Sequence, residues 1–192
     1  GYGKIECYCG VENRKEALKG ANFVVNAIQV GGYDPGTVID FEIPKKYNLR
    51  QTIADTLGIG GIFRALRTIP VMEDFANDMA QVCPKAIFLN YTNPMAMLSG
   101  YMQRYTDIKT VGLCHSVQGT ADMLASWVGA DPKDVTYTCA GVNHQAFYLD
   151  LKWNGKDMYP AIREALKDPE IAKIETVRND MFKHLGYYVT ES

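Results

Sequence analysis

Several classes of function are excluded by what this chain does not contain. No apolar run approaches the roughly 20 residues needed to cross a bilayer, so no membrane partner is expected. No block of like charge is present. The 20 Lys and Arg and 22 Asp and Glu are interleaved, for a net charge of −2, with neither a basic stripe for nucleic acid nor an acidic tail for a basic partner. The opening Gly1-Tyr2-Gly3-Lys4-Ile5-Glu6-Cys7 lacks the apolar stretch of a signal peptide, and it also lacks an initiator Met. Repeats and low-complexity stretches are missing. The five cysteines, Cys7, Cys9, Cys83, Cys114 and Cys139, are odd in number and irregular in spacing. That argues against a disulfide framework and for a reducing, cytoplasmic setting. Cys7-Tyr8-Cys9 lacks the second pair of a zinc site and reads as small apolar strand residues.

What is there is an ordinary globular composition, 47% apolar over 192 residues, enough for one domain or one plus part of another. Asn13 to Lys19 has helical character, with Gly20 as its stop. The run from Ala21 to Val30, ending in Gly31-Gly32, reads as a central parallel strand. Residues 33–57 read as loop with short helical pieces. The spacing of Val71, Phe75, Met79 and Val82 predicts a helix from Ile69 to Val82. Then come a strand from Ala86 to Asn90, a helix from Pro94 to Arg104, a strand from Lys109 to Cys114 and a helix from Thr120 to Val128. Alternation of this kind predicts a parallel sheet with right-handed crossovers. The period then changes. Val135 to Ala140 reads as a short strand, and Gln145 to Trp153 leads into Asn154-Gly155, a strong hairpin signal. Tyr159 to Leu166 and Ile171 to Leu185 read as helices. Two domains are expected, 1–138 and 139–192.

Four segments draw attention as chemistry: Gly58 to Thr68, Asn90-Tyr91-Thr92-Asn93-Pro94, Gly112-Leu113-Cys114-His115-Ser116 and Gly141-Val142-Asn143-His144. The second and third follow predicted strands, and ligands of open α/β sheets gather at strand ends. Cys114 and His144 offer one soft and one borderline metal ligand. A buried strand-end cysteine and a satisfied loop histidine are the plainer readings of the same two residues.

In order along the chain, Asn26-x-Ile28-x-Val30-Gly31-Gly32, Thr56-Leu57-Gly58-Ile59-Gly60-Gly61-Ile62 with Leu66-Arg67-Thr68, Asn93-Pro94, Cys114-His115-Ser116 and Asn143-His144 resemble glycoside hydrolase family 4. The resemblance runs from about Gly20 to Ser192. The Cys-His-Ser form, with Tyr33-Asp34-Pro35-Gly36, is most similar to the α-galactosidase branch. It implies an α/β fold: a Rossmann-like parallel sheet lacking its first strands, followed by the start of an α+β substrate domain. Members of the family open with a strand and a G-x-G turn followed by an acidic residue, which Gly1-Tyr2-Gly3 does not reproduce. The C-terminal half that carries the usual Tyr base is not in this sequence, so an internal fragment of a longer enzyme is expected.

The resemblance further implies NAD and Mn2+, or another divalent metal, as cofactors. It also implies a small-molecule glycoside as substrate and a homo-oligomer as the assembly. The implied route oxidises the sugar at C3, acidifies the C2 proton, expels the aglycone by elimination, adds water and returns the hydride. Carried onto this sequence, Cys114 and His144 hold the metal, and His115 protonates the leaving oxygen. Asn93 contacts sugar or nicotinamide ribose, Asn26 and Gln29 contact the cofactor, and Arg67 contacts substrate. Softness alone would select zinc or iron for a thiolate and an imidazole, whereas the family implies manganese. Thr190-Glu191 resembles the start of a further family motif. Residues 33–40 carry two acids and no base, which points to an unphosphorylated α-galactoside. A 6-phospho-α-glucosidase of the same family is the alternative. Outside the family, a malate- or lactate-type dehydrogenase would share Asn-Pro but give the Cys-His-Ser motif no job, and a non-catalytic fragment is the third reading.

Overall fold

The computed structural model describes residues 3–53 and 56–191. Gly1 and Tyr2 of the opening Gly1-Tyr2-Gly3 segment, and Ser192 at the end of the expected second domain, lie outside the described residues. Contacts divide the chain into two compact units, one ending at Leu113 and the next beginning at Cys114. This division by packing differs from the 138/139 boundary, which was drawn from the change in hydrophobic period.

The first unit runs α1 (Arg14–Leu18), β1 (Phe23–Asn26), α2 (Val38–Lys45), α3 (Gly58–Val82), β2 (Ile87–Asn90), α4 (Met95–Tyr105) and β3 (Lys109–Gly112). Its sheet is parallel in the order β1-β2-β3, the Rossmann-like arrangement expected. The strand expected over Ala21 to Val30 is shorter than expected: four of its residues are strand, and in the sheet of the described residues β2 lies between β1 and β3. An unbroken apolar run reads as buried on both faces, but Phe23 and Val25 are 64% and 63% exposed, and Asn26 turns inward. Register places Phe23, Ile87 and Lys109 side by side, then Val25, Leu89 and Val111.

The helix expected from Ile69 begins eleven residues earlier by number, at Gly58, and passes through Pro70. The glycine cluster is therefore the entry to this helix. A Cβ on Gly61 would stand 2.7 Å from the Thr56 carbonyl carbon and oxygen, so the first turn of α3 needs a glycine to lie against that backbone. Beneath the sheet Met72, Met79, Phe88, Leu98 and Met102 are fully buried. Each such side chain contributes about 1.5–3 kcal/mol by leaving water. At the strand ends Asn26 Nδ2 donates to Asn90 Oδ1 (2.9 Å) and Thr92 Oγ1 (3.0 Å), and Asn90 Nδ2 donates to Ser99 Oγ (3.2 Å). Buried polar groups are thus satisfied in pairs.

The second unit runs α5 (Ser116–Val128), β4 (Val135–Val142), β5 (Gln145–Trp153), β6 (Lys156–Asp157), α6 (Tyr159–Ala165), α7 (Pro169–Ala172) and α8 (Thr176–Leu185). The strands form an antiparallel sheet in the order β4-β5-β6. Asn154 and Gly155 turn β5 into β6 with φ of 49° and 77°, as a two-residue hairpin requires. The single helix expected over Ile171 to Leu185 is broken in two. Asp168 caps α7 by accepting from the Glu170 amide (2.8 Å), and α8 starts afresh at Thr176. After α8 the chain pairs with β5: Tyr148 N donates to Tyr188 O and Thr190 N to Ala146 O, both at 2.9 Å. Tyr148, Tyr188, Phe182, Leu124, Leu151 and Ile162 fill the core. Among the described residues no helix is long and apolar enough to cross a membrane.

Candidate functional site

In the second unit two short-range choices of the chain bring Cys114 and His144 together. Gly119 N bonds His115 O at 2.9 Å, so α5 begins at Ser116 rather than Thr120, and Cys114 lies just ahead of its first turn. His144 is the second residue of a two-residue turn, with Val142 paired to Gln145 across it. Its φ is 63°, a left-handed conformation that costs a non-glycine residue about 1 kcal/mol or more. Gly141 makes the turn possible. Its φ is 143°, and a Cβ there would stand 2.5 Å from Ala146 Cα and from Gln145 O.

The result is a thiol and an imidazole in contact, Cys114 Sγ to His144 Nε2 at 3.4 Å, with Ser116 Oγ 3.3 Å from the same sulfur. That spacing suits an S–H···N hydrogen bond. It also suits a shared metal ion. Bonds of about 2.3 Å from sulfur and 2.1 Å from nitrogen place the two donors ~3.1 Å apart at a right angle and ~3.6 Å apart at a tetrahedral one. His144 Nδ1 and Asn143 Oδ1 are buried without a partner among the described residues. Also among the described residues, no group of three or more His, Cys, Asp and Glu is placed to hold a metal. The pair therefore fits a divalent ion as part of a coordination sphere, the remainder being open to water and substrate oxygens.

His115 occupies the position before α5 and is exposed. It opens, with Ser116, Gly119, Thr120, Glu175, Arg178, Thr190 and Glu191, onto a cavity of about 330 Å³. Arg178 forms a buried wall of it. Its Nη1 donates to Thr120 Oγ1 (2.7 Å) and Thr190 O (3.2 Å), and its Nη2 lies 2.7 Å from Glu175 Oε1. Burial works against the guanidinium charge, yet the Glu175 carboxylate outweighs it and holds the pKa above its usual value. Burial pushes the Tyr148 hydroxyl far up, so it stays protonated and donates to Val117 O at the start of α5.

The remaining candidates belong to the first unit. Asn93 Oδ1 accepts from Met95 N (3.3 Å) at the start of α4, and Asn93 O accepts from Arg64 Nε (3.1 Å). Gln29 Nε2 donates to Thr37 Oγ1 (3.1 Å), which also faces Arg64 Nη1 (3.4 Å). Gln29, Thr37, Arg64 and Asn93 thus converge past the ends of β1 and β2. Asn26 is 3% exposed, and its amide nitrogen is engaged by Asn90 and Thr92, so it first ties strand to strand.

Arg67, expected to contact substrate, is held by Asp40 and by the loop backbone that follows β1. Its Nη1 and Nη2 grip Asp40 in a fork (3.1 and 2.7 Å), and its Nε donates to Val30 O (3.1 Å). The hydrogen bond to the Asp40 carboxylate holds the Arg67 pKa above its usual value. Of the two acids in residues 33–40, Asp40 is therefore buried and neutralised by Arg67. Asp40→Ala is expected to destabilise the chain by about 2 kcal/mol, the discounted cost of stranding a partly exposed cation. The measurement is the urea midpoint, and an unchanged midpoint would show the pair to be incidental. Arg64 and Arg178 were not singled out from sequence. An arginine inside a helix carries no local mark of the partners it will meet.

Comparison with known proteins bears on both units. A family model described as "Family 4 glycosyl hydrolase" matches residues 3–130, and one described as "Family 4 glycosyl hydrolase C-terminal domain" matches residues 139–192. An alpha-galactosidase of Bacillus subtilis (strain 168) is 57% identical over 182 residues, covering 94% of this chain and 42% of that protein. An alpha-galactosidase of Rhizobium meliloti (strain 1021) is 41% identical, covering 94% and 37%. The chain therefore spans about two fifths of the length of these curated relatives. A 6-phospho-beta glucosidase from Thermotoga maritima, solved with manganese, NAD+ and glucose-6-phosphate, superposes with a TM-score of 0.80 at 26% identity, over 92% of this chain and 42% of that one.

Proposed function

The chain belongs to the family 4 glycosyl hydrolases, and on that premise we propose that it forms part of an enzyme that hydrolyses unphosphorylated α-galactosides with the help of NAD and a divalent metal, Mn2+. The observation that carries the metal reading is the contact of Cys114 Sγ and His144 Nε2 at a strained turn. The substrate reading is supported by identity to two alpha-galactosidases, and the cofactor reading by the manganese and NAD+ of the Thermotoga maritima relative.

In this reading Cys114 as thiolate and His144 as neutral imidazole hold the metal, and the turn at His144 fixes the direction of its ring. His115, exposed beside the cavity, holds a proton for the departing glycosidic oxygen. Asn93 and Gln29 present carboxamides past the strand ends, where sugar and nicotinamide ribose are received. The bound cofactors supply hydride transfer and polarisation of the sugar oxygens. Arg67, clamped to Asp40, is left out of the substrate contacts.

One experiment tests both halves of the reading. Turnover of an α-galactoside and of its 6-phospho form is measured on the whole enzyme, before and after chelation and after removal of NAD. The expected result is loss of activity on either removal and a clear kcat/KM preference for the unphosphorylated sugar. Undiminished turnover would sink the mechanism, and a preference for the phosphosugar would move the enzyme to the 6-phospho branch.

A further inference from the structure

We propose that Arg178 is a positioning residue for the metal pair, acting from α8 without touching the metal or the substrate. The inference rests on the metal reading of Cys114 and His144.

Cys114 and His144 are carried by different elements of the second unit. Cys114 immediately precedes α5, and His144 sits at the mouth of the β4–β5 hairpin. Their contact at 3.4 Å is only as well defined as the spacing of those two elements. The strand-like stretch 188–190 pairs with residues 146–148, directly after the His144 turn. Arg178 joins this stretch to α5. A single nitrogen, Nη1, reaches both Thr190 O (3.2 Å) and Thr120 Oγ1 (2.7 Å), and Thr120 Oγ1 itself donates to Thr190 O (3.1 Å). Arg178, Thr120 and Thr190 therefore close a triangle between the helix behind Cys114 and the strand beside His144.

The rest of the guanidinium is held just as firmly. Nε and Nη2 bond Glu175, and the ring of Tyr188 lies 5.8 Å from its central carbon. Tyr188 in turn donates to Asn179 Oδ1 (2.9 Å) on α8. An arginine only 9% exposed, with a counterion and a fixed fork, is costly to bury and rigid once buried. Rigidity of this kind is what a two-ligand site needs, because its affinity depends on donors already standing at the right distance.

The test is the Mn2+ dissociation constant of the whole protein, read from the paramagnetic resonance signal of free Mn2+ well below the unfolding temperature. Four variants are compared with the parent: Arg178→Met, Arg178→Lys, Thr120→Val and Cys114→Ser. The expected result is about tenfold weaker binding in Arg178→Met, with partial recovery in Arg178→Lys, which keeps the charge but lacks the fork. If Arg178→Met fails to fold, Thr120→Val decides, since it removes the shared hydroxyl and leaves the cation in place. Weakening of about threefold or more there upholds the inference, and an unchanged constant overturns it. A lower melting temperature in Arg178→Met with the parent's dissociation constant, alongside strong weakening in Cys114→Ser, overturns the positioning role alone. Unchanged binding in both Arg178→Met and Cys114→Ser overturns the metal reading and the inference with it.

Discussion

Replacing Cys114 by serine is expected to weaken Mn2+ binding by at least about 100-fold while shifting the melting temperature by only a few degrees. The two effects separate because the sulfur is half-buried rather than a core filler. Its neighbours are the polar Ser116 and His144. A thiol near neutral pH readily releases its proton to solvent as a metal takes its place, whereas a serine hydroxyl does not. No group of three candidate ligands among the described residues stands ready to substitute. Elemental analysis of the purified variant decides the matter. Full metal content would remove Cys114 from the ligand set and leave its contact with His144 as an ordinary hydrogen bond.

The second large effect is expected from Gly141→Ala, a change of one methyl group. Backbone at φ 143° is strained for any L side chain, and the new Cβ would stand 2.5 Å from two backbone atoms of β5. Neither atom can rotate away, so the hairpin must open. A loss of about 3 kcal/mol is expected, together with weaker Mn2+ binding, because the turn that aims His144 is the part that moves. Denaturant titration measures the first and metal titration the second. Parent-like stability would mean that the hairpin relaxes freely, and the strained geometry at His144 would then have no structural support.

Much of this arrangement was legible in the sequence because it is local. Alternating strand and helix patterns announced the parallel sheet, Asn154-Gly155 announced the β5–β6 turn, and Cys114 and His144 stood out as one soft and one borderline donor. What escaped depends on partners distant in sequence. Arg67 meets Asp40 across 27 positions and Arg178 meets Thr120 across 58, and no periodicity encodes either meeting. The early start of α3 was hidden by Gly58, Gly60 and Gly61, a cluster that marks a turn in most settings, whereas here Gly61 marks a close approach to Thr56.

The amide pair at the ends of β1 and β2 has a consequence for how the sheet finds its alignment. Asn26 and Asn90 are partners in register, and each satisfies the other. Sliding β1 by one residue would set Asn26 beside Leu89 and take its carboxamide away from Asn90 Oδ1, at about 1–3 kcal/mol for a buried group left unsatisfied. It would also swap every inward side chain for an outward one. Apolar strands such as Phe23-Val24-Val25 and Ile87-Phe88-Leu89 have little else to tell one offset from another. Two buried asparagines thus act as a vernier, giving up some hydrophobic burial so that the strands have one way to meet.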